Sequence, residues 1–197
     1  MIRKPRGHQV RVMRPLVQSD DHFLIPDLDR RGDIQQIQYF PNFRWCLTVV
    51  ETPVFPGSFL VGAGGLAKSR SVRAVLGDKG CWIEGNATPF GMYAKLYRHK
   101  DEFVVIDDVD ALYADRSGVR LLKCLCQTEE EKAVAWHSDA RSLERQCIPR
   151  EFTTKSRVVI IANDWQTLNK NVAALQDRGH VLLFQPSASE VHAQAGE

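Results

Sequence analysis

The 197 residues contain no uninterrupted apolar run near the length of about 18 that a membrane-spanning helix needs. The N-terminus also lacks the apolar segment of a secretory signal. Both absences point to a cytoplasmic chain with no membrane partner. Cysteine is sparse and odd in number: Cys46, Cys81, Cys124, Cys126 and Cys147 sit mostly in apolar runs, as reduced thiols of an intracellular core do. Cys124 and Cys126 resemble a ligand pair, but residues two apart on a helix point to different faces. His8, His22, His99, His137, His180 and His192 show no spacing that converges on a metal or a cysteine nucleophile, and no nucleophile-elbow pattern is present. Charge of one sign is lacking too. Lys plus Arg number 26 against 24 acids, a formal net charge of +2, which alone does not argue for a nucleic-acid binder. Internal repeats and low-complexity segments are absent.

The composition that remains, 44% hydrophobic and 25% charged, suits one packed domain of ordinary size. Residues 1–57 form an N-terminal basic and irregular segment: Arg3, Lys4, Arg6, Arg11 and Arg14 precede the first acid, and Pro41, Pro53 and Pro56 punctuate its second half. That start reads either as a basic arm or as a solvated, frayed end. The core is expected over 58–186, where short apolar runs alternate with helix-like stretches. The runs are 59–61, 81–83, 103–106, 158–162 and 181–184, and the helices are expected over 69–76, 89–98, 118–127 and 165–176. Continuous rather than alternating apolarity implies strands covered on both faces, hence an α/β fold with a mostly parallel sheet. Residues 187–197 turn small and polar and are expected to fray as a C-terminal tail.

Three strand ends carry chemistry. The first run ends in Gly62-Ala63-Gly64-Gly65-Leu66-Ala67-Lys68-Ser69, directly before a helix. A strand, a glycine-rich loop, Lys-Ser and a helix together cradle phosphate: backbone N–H groups face the anion, Lys supplies a point charge, and the hydroxyl reaches Mg²⁺. The other reading is a glycine-rich turn with an exposed lysine. Ala67 stands where the P-loop signature has its last glycine, and a positive φ there would cost the methyl-bearing residue about 1–2 kcal/mol. The second motif is Phe103-Val104-Val105-Ile106 followed by Asp107, Asp108 and Asp110. A buried strand delivers such acids to the carboxyl edge of the sheet, where Asp107 would hold Mg²⁺ and Asp108 would orient and deprotonate a water. The third motif ends in Asn163, whose amide could donate to a phosphoryl oxygen and accept from the lytic water without adding charge.

In this order, and with Ala174-Leu175-Gln176-Asp177-Arg178-Gly179 before the last run, the chain resembles the core of an AAA+ ATPase over about 59–186. The matching motifs are Walker A, Walker B, sensor 1 and the arginine-finger segment. The resemblance implies a three-layer α/β/α P-loop NTPase that binds ATP and Mg²⁺. Gly62, Gly64, Gly65, Leu66, Ala67, Lys68, Ser69 and Arg70 would form the nucleotide cradle, and Ser69 and Asp107 would hold the metal. Asp108 would activate water, Asn163 would be the sensor, and Asn86 a polar partner for the catalytic acid. Arg178 would reach the γ-phosphate of a neighbouring subunit, unless it caps the preceding helix or pairs on the surface. The implied protein is a homo-oligomeric ring or filament, of the helicase-like branch, acting on DNA or RNA. The sequence departs from the family at Ala67, at Asp108 where glutamate is usual, and in the short stretch after Arg178, which has no room for a helical lid.

Between Cys126 and Phe152, Trp136 and His137 with Arg141, Arg145 and Arg150 occupy the place of a pore hairpin in viral-type hexameric helicases. They could stack on single-stranded DNA or RNA and hold its phosphates, or form a solvated connection with Trp136 packed on the sheet. The alternative to an ATPase is a nucleotide-binding switch or assembly module with little or no hydrolysis. A P-loop kinase would need an acceptor-binding lid that has no visible counterpart.

Overall fold

In the computed structural model the described residues are 10–12, 34–37, 57–77, 79–137, 140–163 and 179–195. Nine strands and six helices succeed one another in chain order among them: β1 Val10–Val12, β2 Ile34–Ile37, β3 Gly57–Val61, α1 Lys68–Leu76, β4 Cys81–Glu84, α2 Pro89–Arg98, β5 Val104–Asp107, α3 Asp110–Ala114, α4 Arg116–Leu125, β6 Lys132–Ala135, α5 Ala140–Arg145, β7 Glu151–Thr154, β8 Val158–Ala162, β9 His180–Phe184 and α6 Ala188–Ala195. All five apolar runs are strands of one sheet, in the order β1-β2-β9-β3-β8-β5-β4, and every neighbouring pair is parallel.

Burial on both faces explains the continuous apolarity. Phe59, Val61, Val104, Ile106, Val158 and Ile160 belong to one buried cluster, together with Met92, Tyr93 and Leu96 of α2 and Leu121, Leu122 and Leu125 of α4. The intervening residues Leu60, Val105, Val159 and Ile161 belong to a second cluster, with Val72 and Leu76 of α1. Successive side chains of a strand point to opposite faces, so each strand feeds both clusters.

The helices begin where local chemistry starts them. Thr88 caps α2, its hydroxyl accepting the Gly91 N–H at 3.0 Å, with Pro89 at the first helical position. Asp115 caps α4 by accepting from the Ser117 and Gly118 N–H groups, so that helix starts two residues before its expected Gly118. The helix expected over 165–176 lies outside the described residues.

Two expectations are corrected. The sheet takes in two strands from the N-terminal segment: β2 pairs with β9, and Ile37 is fully buried. The stretch after Pro186 does not fray throughout, because α6 forms at 188–195. Its start is a Ser187-x-x-Glu190 spacing in which the Ser187 hydroxyl accepts the Glu190 N–H at 3.2 Å. The segment between α4 and β8, read as the place of a hairpin or as a solvated connection, contains β6 and β7, which pair antiparallel as a separate two-stranded sheet flanking α5. Trp136, expected either to pack on the sheet or to stack on bases, is half-buried against the core cluster, with the rings of Phe90 and Tyr93 of α2 at centroid distances of 5.9 and 5.7 Å. Arg141, Arg145, Arg150 and His137 are exposed. No helix among the described residues is long and apolar enough to cross a membrane.

Candidate functional site

The position of β8 assembles the site. It lies between β3 and β5, and its last carbonyls hold both neighbours beyond the ends of their strands. The Gly62 N–H donates to the Ala162 carbonyl at 3.2 Å, and the Asp108 N–H donates to the Ile161 carbonyl at 3.1 Å. Asn163 comes next in the chain, so the amide emerges between the glycine loop and the paired aspartates.

The loop is shaped by close approach and by positive φ. A Cβ on Gly62 would lie 2.6 Å from the Phe184 carbonyl oxygen, so only glycine lets β9 approach this closely. Gly65 has φ 80° and Ala67 φ 54°, both in the left-handed region. Ala67 offers no side-chain cap to α1, so the first N–H groups of the helix are without a side-chain acceptor at that position. The positive φ means that the Ala67 methyl carries the cost anticipated from its place in the motif. Ala67→Gly is therefore expected to raise unfolding free energy by about 1 kcal/mol, or roughly 2–4 °C in Tm for a chain of this size. Differential scanning calorimetry of the variant checks this, and an unchanged or lowered Tm would remove the strain argument.

Lys68, the first residue of α1, turns back under the loop and is 5% exposed. Its Nζ donates to the Gly62 and Ala63 carbonyls, each at 2.8 Å, and to Asn163 Oδ1 at 3.0 Å. Asn163 Nδ2 in turn donates to Asp108 Oδ2 at 2.7 Å. The amide orientation follows from the chemistry, because the reverse would aim N–H groups at an ammonium and an oxygen at a carboxylate. The three strand-end motifs are thus joined by a single chain of hydrogen bonds. Burial pushes the Lys68 ammonium below its ordinary range, while the charges of Asp107 and Asp108 pull it back up.

Asp107, half-buried, is hydrogen-bonded by the Ser69 side chain. Burial raises its carboxyl above the usual range. The Ser69 bond and Lys68 oppose that shift, and the charges of Glu84 and Asp108 add to it. Asp108 is exposed and, like Ala67, has positive φ, at 52°. Aspartate tolerates that conformation better than most residues.

Other expected site residues fall differently. Gly64 is exposed, and a Cβ there would lie 3.9 Å from Asn163 Oδ1. Leu66 packs against the α1 side of the core, and Arg70 is exposed on the first turn of α1. Asn86 is exposed two residues beyond β4, and the hydrogen bond to the acid that it was expected to partner comes from Asn163. Arg178 lies outside the described residues. A neighbour of Asp107 escaped the sequence reading: Glu84, opposite it in the β4–β5 register, pairs with Arg73 at 2.6 Å. The Arg73 guanidinium stacks 3.9 Å from the Trp82 ring centroid. Its signal was the acid at the end of the Cys81 strand, a placement like that of Asp107.

The described residues hold no group of three or more His, Cys, Asp or Glu side chains that could bind a metal unaided. No protein-family model matches the sequence. The chain is 32% identical over 111 residues to a protein of Enterobacteria phage T4 described as an uncharacterized 36.7 kDa protein in the nrdC–mobD intergenic region. The match covers 52% of this chain and 34% of the phage protein, so the chain spans about a third of that relative.

Proposed function

We propose that the chain is an AAA+-like P-loop ATPase, a three-layer α/β/α domain that binds ATP with Mg²⁺ at the carboxyl edge of its parallel sheet. The observation that carries this reading is the hydrogen-bond chain from Lys68 through Asn163 to Asp108, which unites three motifs far apart in sequence. The nucleotide phosphates fit the glycine loop and the start of α1, with Lys68 as their charge partner. The donors available for Mg²⁺ suit it: the Ser69 hydroxyl and the Asp107 carboxylate are hard oxygen ligands, and Mg²⁺ commonly takes one or two carboxylates plus phosphate and water. When bound, the ion neutralises phosphate charge.

The residues of the chain do the rest. Lys68 binds and orients the terminal phosphates, Asn163 positions the phosphoryl group and the attacking water, and Asp108 accepts the proton of that water. Arg178 supplies the transition-state charge to a neighbouring copy, so the working form is an oligomer, and its work is on DNA or RNA. A second reading, a nucleotide-binding module with little hydrolysis, draws support from the strained Ala67 and from the Asp108 carboxylate already engaged by Asn163.

Calorimetric titration of ATP with Mg²⁺ into the native chain and into Lys68→Ala tests the site. Loss of charge-assisted hydrogen bonds predicts affinity lower by roughly 10- to 100-fold in the variant. Melting curves of both proteins confirm that each is folded. Equal affinity in a folded variant would eliminate the phosphate site.

A further inference from the structure

An ammonium has three hydrogens to give. On Lys68 two of them go to the Gly62 and Ala63 carbonyls, which belong to the loop backbone, and the third goes to the side chain of Asn163. A phosphoryl oxygen that bonds to Lys68 with the loop conformation kept must therefore take the third hydrogen. We infer that Asn163 is a latch that an anion displaces: its amide oxygen competes with a terminal phosphoryl oxygen for Lys68, and its amide nitrogen restrains the Asp108 carboxylate until that exchange occurs.

The inference rests on the nucleotide reading of the site and adds a competition to it. Asn163 is exposed, so an incoming ligand can reach the bond it must break; Gly62 is buried, and the carbonyl of exposed Ala63 is backbone that moves only with the loop. The two ends of the amide are not independent. Once its oxygen leaves Lys68, the planar group has to rotate or shift, and the 2.7 Å bond to Asp108 Oδ2 breaks or carries the carboxylate with it. Arrival of the terminal phosphate is thereby transmitted to the residue assigned to the water, through one side chain. Asn163 is in this sense a positioning residue that also lowers ligand affinity.

The competition makes opposite predictions for two variants. Asn163→Ala removes the competitor and leaves no buried cavity, because the side chain is exposed. ATP with Mg²⁺, and inorganic tripolyphosphate as a probe without a base or sugar, should then bind roughly 2- to 10-fold tighter, the net effect of one hydrogen bond. Asn163→Asp puts a carboxylate where the amide oxygen bonds Lys68, which strengthens the competitor and repels the anion. Both probes should bind at least 10-fold more weakly. A residue with a merely structural role would move both variants in one direction. Isothermal titration of the three folded proteins decides the matter, with Asn163→Ser in place of the alanine variant if that fails to fold. Unchanged or weaker binding by Asn163→Ala overturns the latch while leaving the ATP site intact. Binding by Asn163→Ala alone, with none by the native chain, supports a stronger latch. Binding by none of them overturns the ATP site and the latch together.

Discussion

Asp108→Asn should bind ATP within a few-fold of the native chain and hydrolyse it at least about 10²-fold more slowly, the usual scale of a lost general base. The substitution isolates the chemistry unusually well. Asp108 sits at φ 52°, and Asn is among the few residues that tolerate the left-handed region, so the backbone is undisturbed. The hydrogen bond from Asn163 Nδ2 survives too, because the new amide can present its oxygen where Asp108 Oδ2 now accepts. What disappears is the ability to take a proton. Asp108→Ala would confuse the result by adding strain at the same position. Single-turnover phosphate release, measured beside equilibrium ATP binding, checks the prediction. Turnover within threefold of native would show that another group handles the water. Failure to bind would show that the carboxylate helps to hold the ligand.

The second large effect lies away from the site. Gly118→Ala should destabilise the fold by about 2–4 kcal/mol, a Tm loss of roughly 5–15 °C. A Cβ on Gly118 would press into the Leu112 carbonyl oxygen and lie 3.0 Å from the Leu112 Cα, with Leu112 itself fully buried where α3 meets α4. The obstacle is backbone, so no side-chain rotation relieves it. Alanine in a helix is favoured over glycine by about 1 kcal/mol, and that gain is too small to reverse the sign. Thermal unfolding gives the answer, and a Tm equal to or above native would mean that α3 moves aside without cost. Because the residue lies outside the site, folded Gly118→Ala should keep its ATP affinity.

The elements around the site were legible in the sequence because each strand is apolar on both faces and ends in a chemically distinct residue. Gly62, Asp107 and Asn163 follow continuous runs that only a strand buried from both sides requires. The order of the strands was not legible. Periodicity says that a run is a buried strand, not that β8 slips between β3 and β5, and the Lys68–Asn163 bond depends wholly on that placement. The outer strands were missed for a different reason: Val10–Val12 and Ile34–Ile37 are short and interrupted by Arg or Gln, so they lack the continuous apolar signal that marks the centre of the sheet. In α6 the polar residues masked a capping sequence that was present at Ser187 and Glu190. Trp136 was visible as a large aromatic in a polar segment, but its partners Phe90 and Tyr93 are on a helix some forty residues earlier, and no local pattern connects them.

The placement of β3 between β8 and β9 also governs how the chain can be made. When Phe59, Leu60 and Val61 leave the ribosome, neither strand that will flank them has been synthesised, so this apolar ribbon waits with both edges unpaired. One edge of β3 can close once Val158–Ala162 emerges, and the other only after His180–Phe184. Folding is accordingly dominated by distant partnerships, which makes it slow for the size of the chain and leaves nascent or C-terminally truncated products prone to sticking together.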